Sequence, residues 1–293
     1  MIKKIAAFLF ALISFSGFSQ VNHEFGIFAG TSNYQGDLSM KQVTWKSTHA
    51  AFGLMYQYNF NHFLGLRFSG NYGTISGGDS LYKADHDRFK RNLSFTSPII
   101  EGNMQLEFNL LAFDPGYTDA DNAFTPFFAI GIGFFHFDPQ TTLNGTTYHL
   151  QKLPTELDKP AYSLNQLSFP FNLGFKYTLT DALSLRVEYG YRKTNTDYLD
   201  DVSDKYANFD DVMNANLADP NIAYLTDRSR LLKPEYNYQK QNDPNNPINR
   251  GDPRNKDNFL FAGISITYCF NKYHDVINHY APPFDPFHRR YHR

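Results

Sequence analysis

The sequence is poor in cysteine, in net charge and in long apolar runs, and each shortage excludes a class of protein. Cys269 is the only cysteine, so the chain can form neither an internal disulfide nor a cysteine metal cluster. The formal net charge is -2, so the chain lacks the excess of basic residues that is typical of nucleic-acid-binding proteins. Beyond the N-terminus, no apolar run approaches the about 20 residues that a membrane-spanning helix needs. A membrane β-barrel stays possible, because its alternating strands average out in a hydropathy window.

The first 20 residues have the pattern of an export signal. Lys3 and Lys4 form a charged start, residues 5–15 form a short apolar run, and small residues precede Gln20. A membrane anchor helix is the alternative, but the run is short and no stop-transfer charges follow it. We therefore expect residues 1–20 to be a cleaved signal peptide. No cysteine lies near the cleavage point, so lipidation is not expected.

Residues 166–192 are the most informative stretch, because they predict a long hairpin with one apolar and one polar face. Every second side chain is apolar in the first arm, 167–179, and the same alternation recurs in the second arm, 183–192. Each arm exceeds a typical globular strand of about five or six residues and suits a tilted strand that crosses a bilayer. The polar face carries full charges, among them Lys176 and Glu188, that a dry core would not tolerate unpaired.

Similar alternation predicts an all-β protein, an eight-stranded antiparallel up-and-down transmembrane β-barrel. The expected strands are about 24–34, 49–59, 64–72, 95–110, 125–137, 167–179, 183–192 and 259–270. The connections are mostly long at one end and short at the other, like the external loops and periplasmic turns of outer-membrane barrels. We expect a barrel over 21–270 with a long loop at about 194–257, and a periplasmic tail over 271–293. This arrangement places both termini in the periplasm of a diderm bacterium.

A soluble carrier barrel of the lipocalin type is the structural alternative, and its interior would be apolar. Strand parity instead places charges of both signs on the inner face. An eight-stranded barrel is just wide enough to be filled by side chains, so we interpret these charges as a paired network that plugs the lumen. A selective pore would need more strands or charges of one sign. The predicted lumen network consists of Arg67, Glu101, Glu107, Lys176, Arg186, Glu188 and Arg192.

Residues that could carry chemistry are few. His136 has no serine and acid placed beside it, so we interpret it as an interfacial residue rather than part of a lipid-modifying enzyme. Asp197, Asp200, Asp201 and Asp204 lack the glycine and distal glutamate of a calcium-binding loop, which favours a solvated acidic loop. The histidines of the tail lack metal-ligand spacing. The sequence therefore predicts no catalytic residue, no metal and no cofactor.

Six motifs are distributed along the chain: GTSNYQGDL at 30–38, RNLSF at 91–95, FTPFFAIGIGFFHFDP at 124–139, EYGYRKTNTDYLDDVS at 188–203, DRS at 227–229 and RGDP at 250–253. They resemble the PorG-like family of outer-membrane barrels, which is associated with the type IX secretion system. The resemblance implies a non-enzymatic barrel that binds a periplasmic ring of PorK-like lipoprotein and PorN-like protein and supports protein export, and motility in gliding bacteria. A stand-alone small barrel with a surface-binding or structural role, or a small channel, is the alternative.

Two segments on the expected periplasmic side are more elaborate than a minimal barrel needs. The 111–123 connection is longer than the two to five or so residues that would join adjacent strands. The tail contains proline and aromatic residues that favour an extended segment with interface anchors. Besides outer-membrane lipids, we therefore expect a protein partner, with candidate contacts at Asp114, Tyr117, Asp119, Tyr273, Tyr280, Phe284 and Phe287. A loose turn and a disordered tail are the alternative.

Overall fold

The computed structural model describes residues 22–39, 45–82, 87–115, 122–160, 162–232 and 248–270. The expected signal peptide and tail lie outside these residues. Ten strands are found in the described part of the chain: β1 Asn22–Gln35, β2 His49–Asn59, β3 Leu64–Gly78, β4 Ser94–Asn109, β5 Phe124–Phe137, β6 Gln140–Leu143, β7 Thr146–His149, β8 Asn165–Thr178, β9 Leu183–Thr194 and β10 Asn258–Cys269.

Eight of these strands close an antiparallel barrel, in the order β1, β2, β3, β4, β5, β8, β9 and β10. The last strand pairs with the first, with Gly30 opposite Gly263. The predicted eight-stranded barrel is confirmed, and its strands differ from the expected ones mainly at their ends. We call the end that carries the tight connections 60–63 and 179–182 the turn end, and the opposite end the loop end.

The outward face of the barrel is a belt of apolar and aromatic side chains. Phe171 and Phe175 are 41% and 54% exposed, whereas Asn172 and Lys176 beside them are 1% and 0% exposed. The belt also contains Ile27, Leu54, Phe68, Ile100, Met104, Ile130, Phe134, Val187 and Ile266. Soluble proteins rarely expose a continuous apolar surface of this extent. The outer wall of the barrel is therefore suited to contact acyl chains. The buried charges inside this barrel exclude the lipocalin alternative, whose interior would be apolar.

The connection between β5 and β8 contains a hairpin, β6–β7, that the alternation analysis does not predict. Strands of four residues are too short for a period-two pattern to be recognised. The turn itself is Asn144–Gly145, where both residues have positive φ, 53° and 80°, as a two-residue hairpin turn requires. The Asn-Gly dipeptide is the signal that could have identified it. Gln140 of β6 pairs with Thr96 of β4, so the hairpin extends the barrel wall at the loop end.

Three short α-helices lie in the described parts of the loops: α1 Asp87–Arg91, α2 Phe209–Ala215 and α3 Asn221–Thr226. The second lies in the long loop that follows β9. The side chain of Asn208 caps it by accepting from the backbone N–H groups of Asp210 and Asp211. Within the described residues, no helix is both long and apolar enough to cross a membrane.

The interior of the barrel has two chemically different layers. The turn-end layer holds charged, amide and hydroxyl side chains. The aromatic layer lies nearer the loop end and consists of inward side chains that include Phe28, Tyr34, Phe95, Phe135, Phe137, Phe259 and Phe261. Because the side chains of both layers are buried, each closes the lumen at its own height.

Candidate functional site

Glu107 is the centre of the turn-end layer. Its carboxylate is fully buried and contacts Lys176 and Arg186 directly. Arg67 Nη1 lies 3.6 Å from Glu107 Oε2, and Gln57 Nε2 donates to Glu107 Oε1 at 2.8 Å. Removing this buried carboxylate would leave Lys176 and Arg186 without their carboxylate partner, so the contact organises the layer.

Two further carboxylates extend the network across the lumen. Glu188 accepts from Arg67 Nη1 at 2.6 Å, and Glu101 accepts from Arg192 Nε at 3.2 Å. Arg192 Nη1 also donates to Asn172 Oδ1 at 3.2 Å, and Asn172 Nδ2 donates to Glu188 Oε2 at 3.4 Å, which joins the two pairs. The structure therefore brings all seven predicted lumen residues into one connected set.

Glu24 belongs to the same layer, although it is not one of the seven predicted lumen residues. It is fully buried and accepts from Asn59 Nδ2 at 2.7 Å and from Thr267 Oγ1 at 2.8 Å. The alternation of side chains along β1 could have identified Glu24, because Glu24 points inward and Phe25 and Ile27 point outward. With Glu24 included, the layer holds four carboxylates and four cations, which are Glu24, Glu101, Glu107, Glu188, Arg67, Lys176, Arg186 and Arg192.

The described start of the 111–123 connection, residues 111–115, lies over the turn end. Phe113 is 2% exposed, and its ring centroid lies 5.0 Å from Lys176 Nζ. Asp114 is 8% exposed and binds His62 within the chain. Asp114 therefore already has a partner, and its role as a contact for another protein stays a prediction. The other candidate contacts lie outside the described residues: Tyr117, Asp119, Tyr273, Tyr280, Phe284 and Phe287.

The loops at the opposite end fold over the barrel mouth as a compact layer. We define this loop-end cap as residues 36–39, 79–82, 87–93, 150–160, 162–164, 195–232 and 248–257. Its apolar underside rests on the aromatic layer through Leu38, Leu93, Leu150, Tyr162, Leu199 and Val202. The long loop near 194–257 is thus a folded part of the barrel closure where the structure describes it.

Two carboxyl groups of the cap meet at the phenol of Tyr34. Tyr34 Oη lies 2.6 Å from Asp200 Oδ2 and 3.0 Å from Asp257 Oδ1. The remaining oxygens accept from the backbone N–H groups of Val202 and Leu199 at 2.9 and 3.0 Å. These four contacts have only three donor protons among them, one from the phenol and two from the backbone. A proton on one of the two carboxyl groups would supply the fourth donor.

Burial is also the main reason why the pKa of both Asp200 and Asp257 is raised well above the usual carboxyl range. Nearby carboxylates add to this effect, Asp37 for Asp200 and Asp200 for Asp257. Asp197 lies close by, and burial raises its pKa to about 7. The acidic centre of the cap thus holds a proton at a pH where ordinary carboxyl groups are ionised.

The expectation of a solvated acidic loop is wrong for three of its four residues. Asp197, Asp200 and Asp201 are 2%, 1% and 0% exposed, and Asp204 alone is exposed. Asp201 contacts Lys159 and accepts from the hydroxyls of two residues of the 150–162 segment, Thr155 at 2.5 Å and Tyr162 at 2.7 Å. The partners of Asp201 come from a segment about forty residues away, which a local pattern of aspartates cannot indicate.

Arg91 ties several loops of the cap together. Its Nε and Nη2 donate to the carboxylate of Asp79 at 2.8 and 2.7 Å. The same guanidinium donates to the backbone carbonyls of Arg250 at 2.6 Å and Asp37 at 3.1 Å. A bidentate pair of this kind fixes both distance and orientation, so the cap has one defined arrangement.

The motifs singled out in the sequence meet in this cap. Tyr34 and Asp37 come from 30–38, Arg91 from 91–95, Asp200 from 188–203 and Arg250 from 250–253. In addition, Asn92 Nδ2 donates to the carbonyl of Arg228, which belongs to the 227–229 motif, at 3.1 Å. The residues that carry the resemblance are therefore largely those that build the loop-end cap.

Residues 3–226 match the family described as "Domain of unknown function (DUF6089)". The chain belongs to the DUF6089 family. The matched part of this DUF6089 chain extends through β9 and α3 and stops before β10, the strand that closes the barrel. No curated protein matches the chain.

Several solved structures resemble the DUF6089 barrel in outline. Neisserial surface protein A has a TM-score of 0.40 at 10% identity, with 85% of this chain and 97% of that chain covered. Ail of Yersinia pestis, in complex with the heparin analogue sucrose octasulfate, has a TM-score of 0.38 at 10% identity and covers 85% and 99%. OprG of Pseudomonas aeruginosa has a TM-score of 0.38 at 12% identity and covers 88% and 99%. The barrel of the DUF6089 chain is established by its own strand pairing.

Proposed function

We propose that this protein is a non-conducting, non-enzymatic barrel of the outer membrane that anchors a protein partner. The observation that carries the proposal is the double closure of the lumen, by the turn-end layer and by the loop-end cap. A channel needs a continuous polar path, and selectivity needs a ring of aligned carbonyls or charges of one sign. Here the charges are balanced and paired with one another.

Planar-bilayer recording tests the closure directly. The full-length protein should insert without producing a steady ion-selective conductance. A stable open state in most insertions would contradict the proposal and favour the small-channel alternative. A variant with Glu107→Ala and Phe113→Ala serves as the control, because it removes the centre of the turn-end layer and the aromatic side chain that covers it.

The finer proposal is that the partner is the periplasmic ring of a type IX secretion machine, made of PorK-like lipoprotein and PorN-like protein. Its support is the resemblance of the six motifs, which the structure gathers largely in one cap rather than leaving scattered. The candidate contacts belong to the 111–123 connection and to the tail, which follow β4 and β10, the strands that end at the turn end. We propose that the cap stabilises the barrel and that the turn end and tail bind the ring.

Crosslinking and co-purification from isolated outer membranes separate this proposal from a stand-alone barrel. The ring proteins should co-purify with the full chain and be reduced when the segment after Phe270 is deleted and the 111–123 connection is shortened. Heat-modifiable gel migration shows whether the shortened variant is folded. Recovery of the barrel without ring proteins from native membranes would favour the stand-alone alternative.

A further inference from the structure

Arg228 differs in its surroundings from Arg91 and Arg250, two other arginines of the loop-end cap. Its Nη1 donates to Thr141 Oγ1 at 2.8 Å and to Ser94 Oγ at 3.2 Å, both of which are neutral hydroxyls. Arg91 and Arg250 each pair with a carboxylate. In the part of the chain that the structure describes, no carboxylate lies within ion-pair distance of Arg228. Arg228 is therefore a cation held in place by groups that do not neutralise it.

The guanidinium of Arg228 is also partly removed from water. Its Nε is buried and has no hydrogen-bond partner in the structure, and burial lowers the pKa of Arg228. Arginine does not lose its proton in proteins, so the positive charge stays. An anion with several oxygens would satisfy this group, because a guanidinium binds carboxylate and phosphate through parallel N–H donors.

The position of the site on the barrel selects among possible anions. Ser94 begins β4 on the same outward face as Ile100, which is 59% exposed in the apolar belt. Six residues separate them, which is roughly 20 Å along a strand, or about 15 Å of height for a tilted strand. A phospholipid headgroup extends only about 5–8 Å beyond the hydrocarbon core. A lipid anion that reaches Arg228 must therefore belong to a lipid with a taller headgroup.

We propose that Arg228, Ser94 and Thr141 form a binding site for a phosphate on the saccharide headgroup of an outer-leaflet glycolipid. The guanidinium supplies the charge, and the two hydroxyls supply neutral donors beside it. The hydrogen bond from Asn92 Nδ2 to the Arg228 carbonyl holds the backbone that presents the side chain. The proposal rests on the outer-membrane placement of the barrel proposed above, and it adds a ligand to the cap.

Native mass spectrometry of the full-length protein in nanodiscs tests the site. The probes are a lipopolysaccharide whose core sugars carry phosphate and the same lipid after removal of those core phosphates. Wild type should retain the phosphorylated lipid, and Arg228→Gln should reduce its retention about tenfold, as expected for the loss of one charge-assisted contact. Arg228→Lys should lose less, because it keeps the charge without the planar fork.

Two control variants accompany the comparison of lipid retention between wild type and Arg228→Gln. Arg254→Gln changes an arginine whose side chain is 88% exposed and pairs with Asp252, and it should retain the lipid like wild type. Thr141→Val keeps Arg228 and should weaken retention in a folded barrel, which separates ligand loss from unfolding.

Three results would overturn the site. They are equal retention by wild type and Arg228→Gln, equal retention of the dephosphorylated lipid, and binding of inorganic phosphate without retention of the lipid. The last result would identify a free phosphate as the ligand instead. Failure of every variant, wild type included, to insert into the nanodisc would contradict the outer-membrane placement. Insertion without phosphate-dependent retention would contradict this site alone.

Discussion

The turn-end layer and the loop-end cap both bury several carboxyl groups, but they neutralise them differently. In the turn-end layer, Glu107 and Glu188 contact lysine and arginine side chains, which supply the opposite charge. In the cap, Asp200 and Asp257 both contact the phenol of Tyr34, and burial raises the pKa of each carboxyl group.

The difference follows from where each region lies. The turn-end layer is enclosed by the lipid-facing wall, where an unpaired charge is costly and a fixed counter-charge is the stable solution. The cap lies beyond the belt, where water and protons have access. We therefore expect the closure at the turn-end layer to be insensitive to pH and the closure at the cap to depend on pH.

The largest expected effect comes from removing the centre of the turn-end layer. Glu107→Leu leaves Lys176, Arg186 and Arg67 without their shared counter-charge and should destabilise the barrel by about 3–5 kcal/mol. Glu188→Leu should cost less, because Glu188 has one direct cation and its side chain is 12% exposed. Urea-unfolding midpoints followed by gel migration measure both. Equal midpoints for Glu107→Leu and wild type would show that the lumen charges are solvated.

The second-largest effect is expected from a charge placed on the lipid-facing wall of the barrel. Phe175→Arg places a cation in the lipid belt and should cost about 2–4 kcal/mol and reduce insertion. Leu179→Arg, one residue beyond the turn end of β8, should cost about 0–1 kcal/mol, because the penalty falls near the interface. Folding yields into lipid vesicles compare the two variants. If both are tolerated equally, Phe175 does not contact acyl chains.

A smaller effect should be confined to the cap. A Cβ at Gly36 would lie 1.8 Å from Asp257 Oδ1 and 2.1 Å from Tyr34 Oη, so Gly36→Ala should push the carboxyl pair apart. We expect a loss of about 1–3 kcal/mol and faster protease cleavage within 195–232, with the barrel still folded. Gly102→Ala is the control, because its Cβ would meet no atom within 4 Å. Unchanged cleavage would mean that the pair does not hold the cap.

The smallest effect is the pH dependence of the cap. A carboxyl group whose pKa is raised on folding keeps a proton that the unfolded chain releases, so stability is full below about pH 4 and falls as pH rises through the folded pKa. For Asp200 and Asp257 the cap should therefore loosen with increasing pH, by up to about tenfold in its opening equilibrium per pH unit for one proton.

Hydrogen exchange within 195–232 between about pH 5 and pH 9 measures this dependence. Asp257→Asn supplies permanent amide protons in place of the bound one, so its profile should be flatter than that of wild type. The profile of the turn-end layer, followed through β8, should not change over the same range. A cap that becomes more protected as pH rises would contradict the shared proton.

Sequence reasoning succeeded where the signal was local. The alternation of Phe171, Asn172, Phe175 and Lys176 predicts both faces of β8, because successive side chains of a strand point in opposite directions. It failed for the cap, where Asp197, Asp200 and Asp201 were interpreted as solvated. An aspartate in a loop has the same local pattern whether its partner is water or a distant phenol.

The sequence by itself determined the barrel strands, their inward and outward faces, and the set of charges that lie in the lumen, since all of these follow from a two-residue period. Only the tertiary structure decided which charges pair and that the long loop closes the mouth. Tyr34 is 166 residues from Asp200 and 223 residues from Asp257. These groups meet because β10 returns to pair with β1, and closure of the barrel is a property of the whole chain.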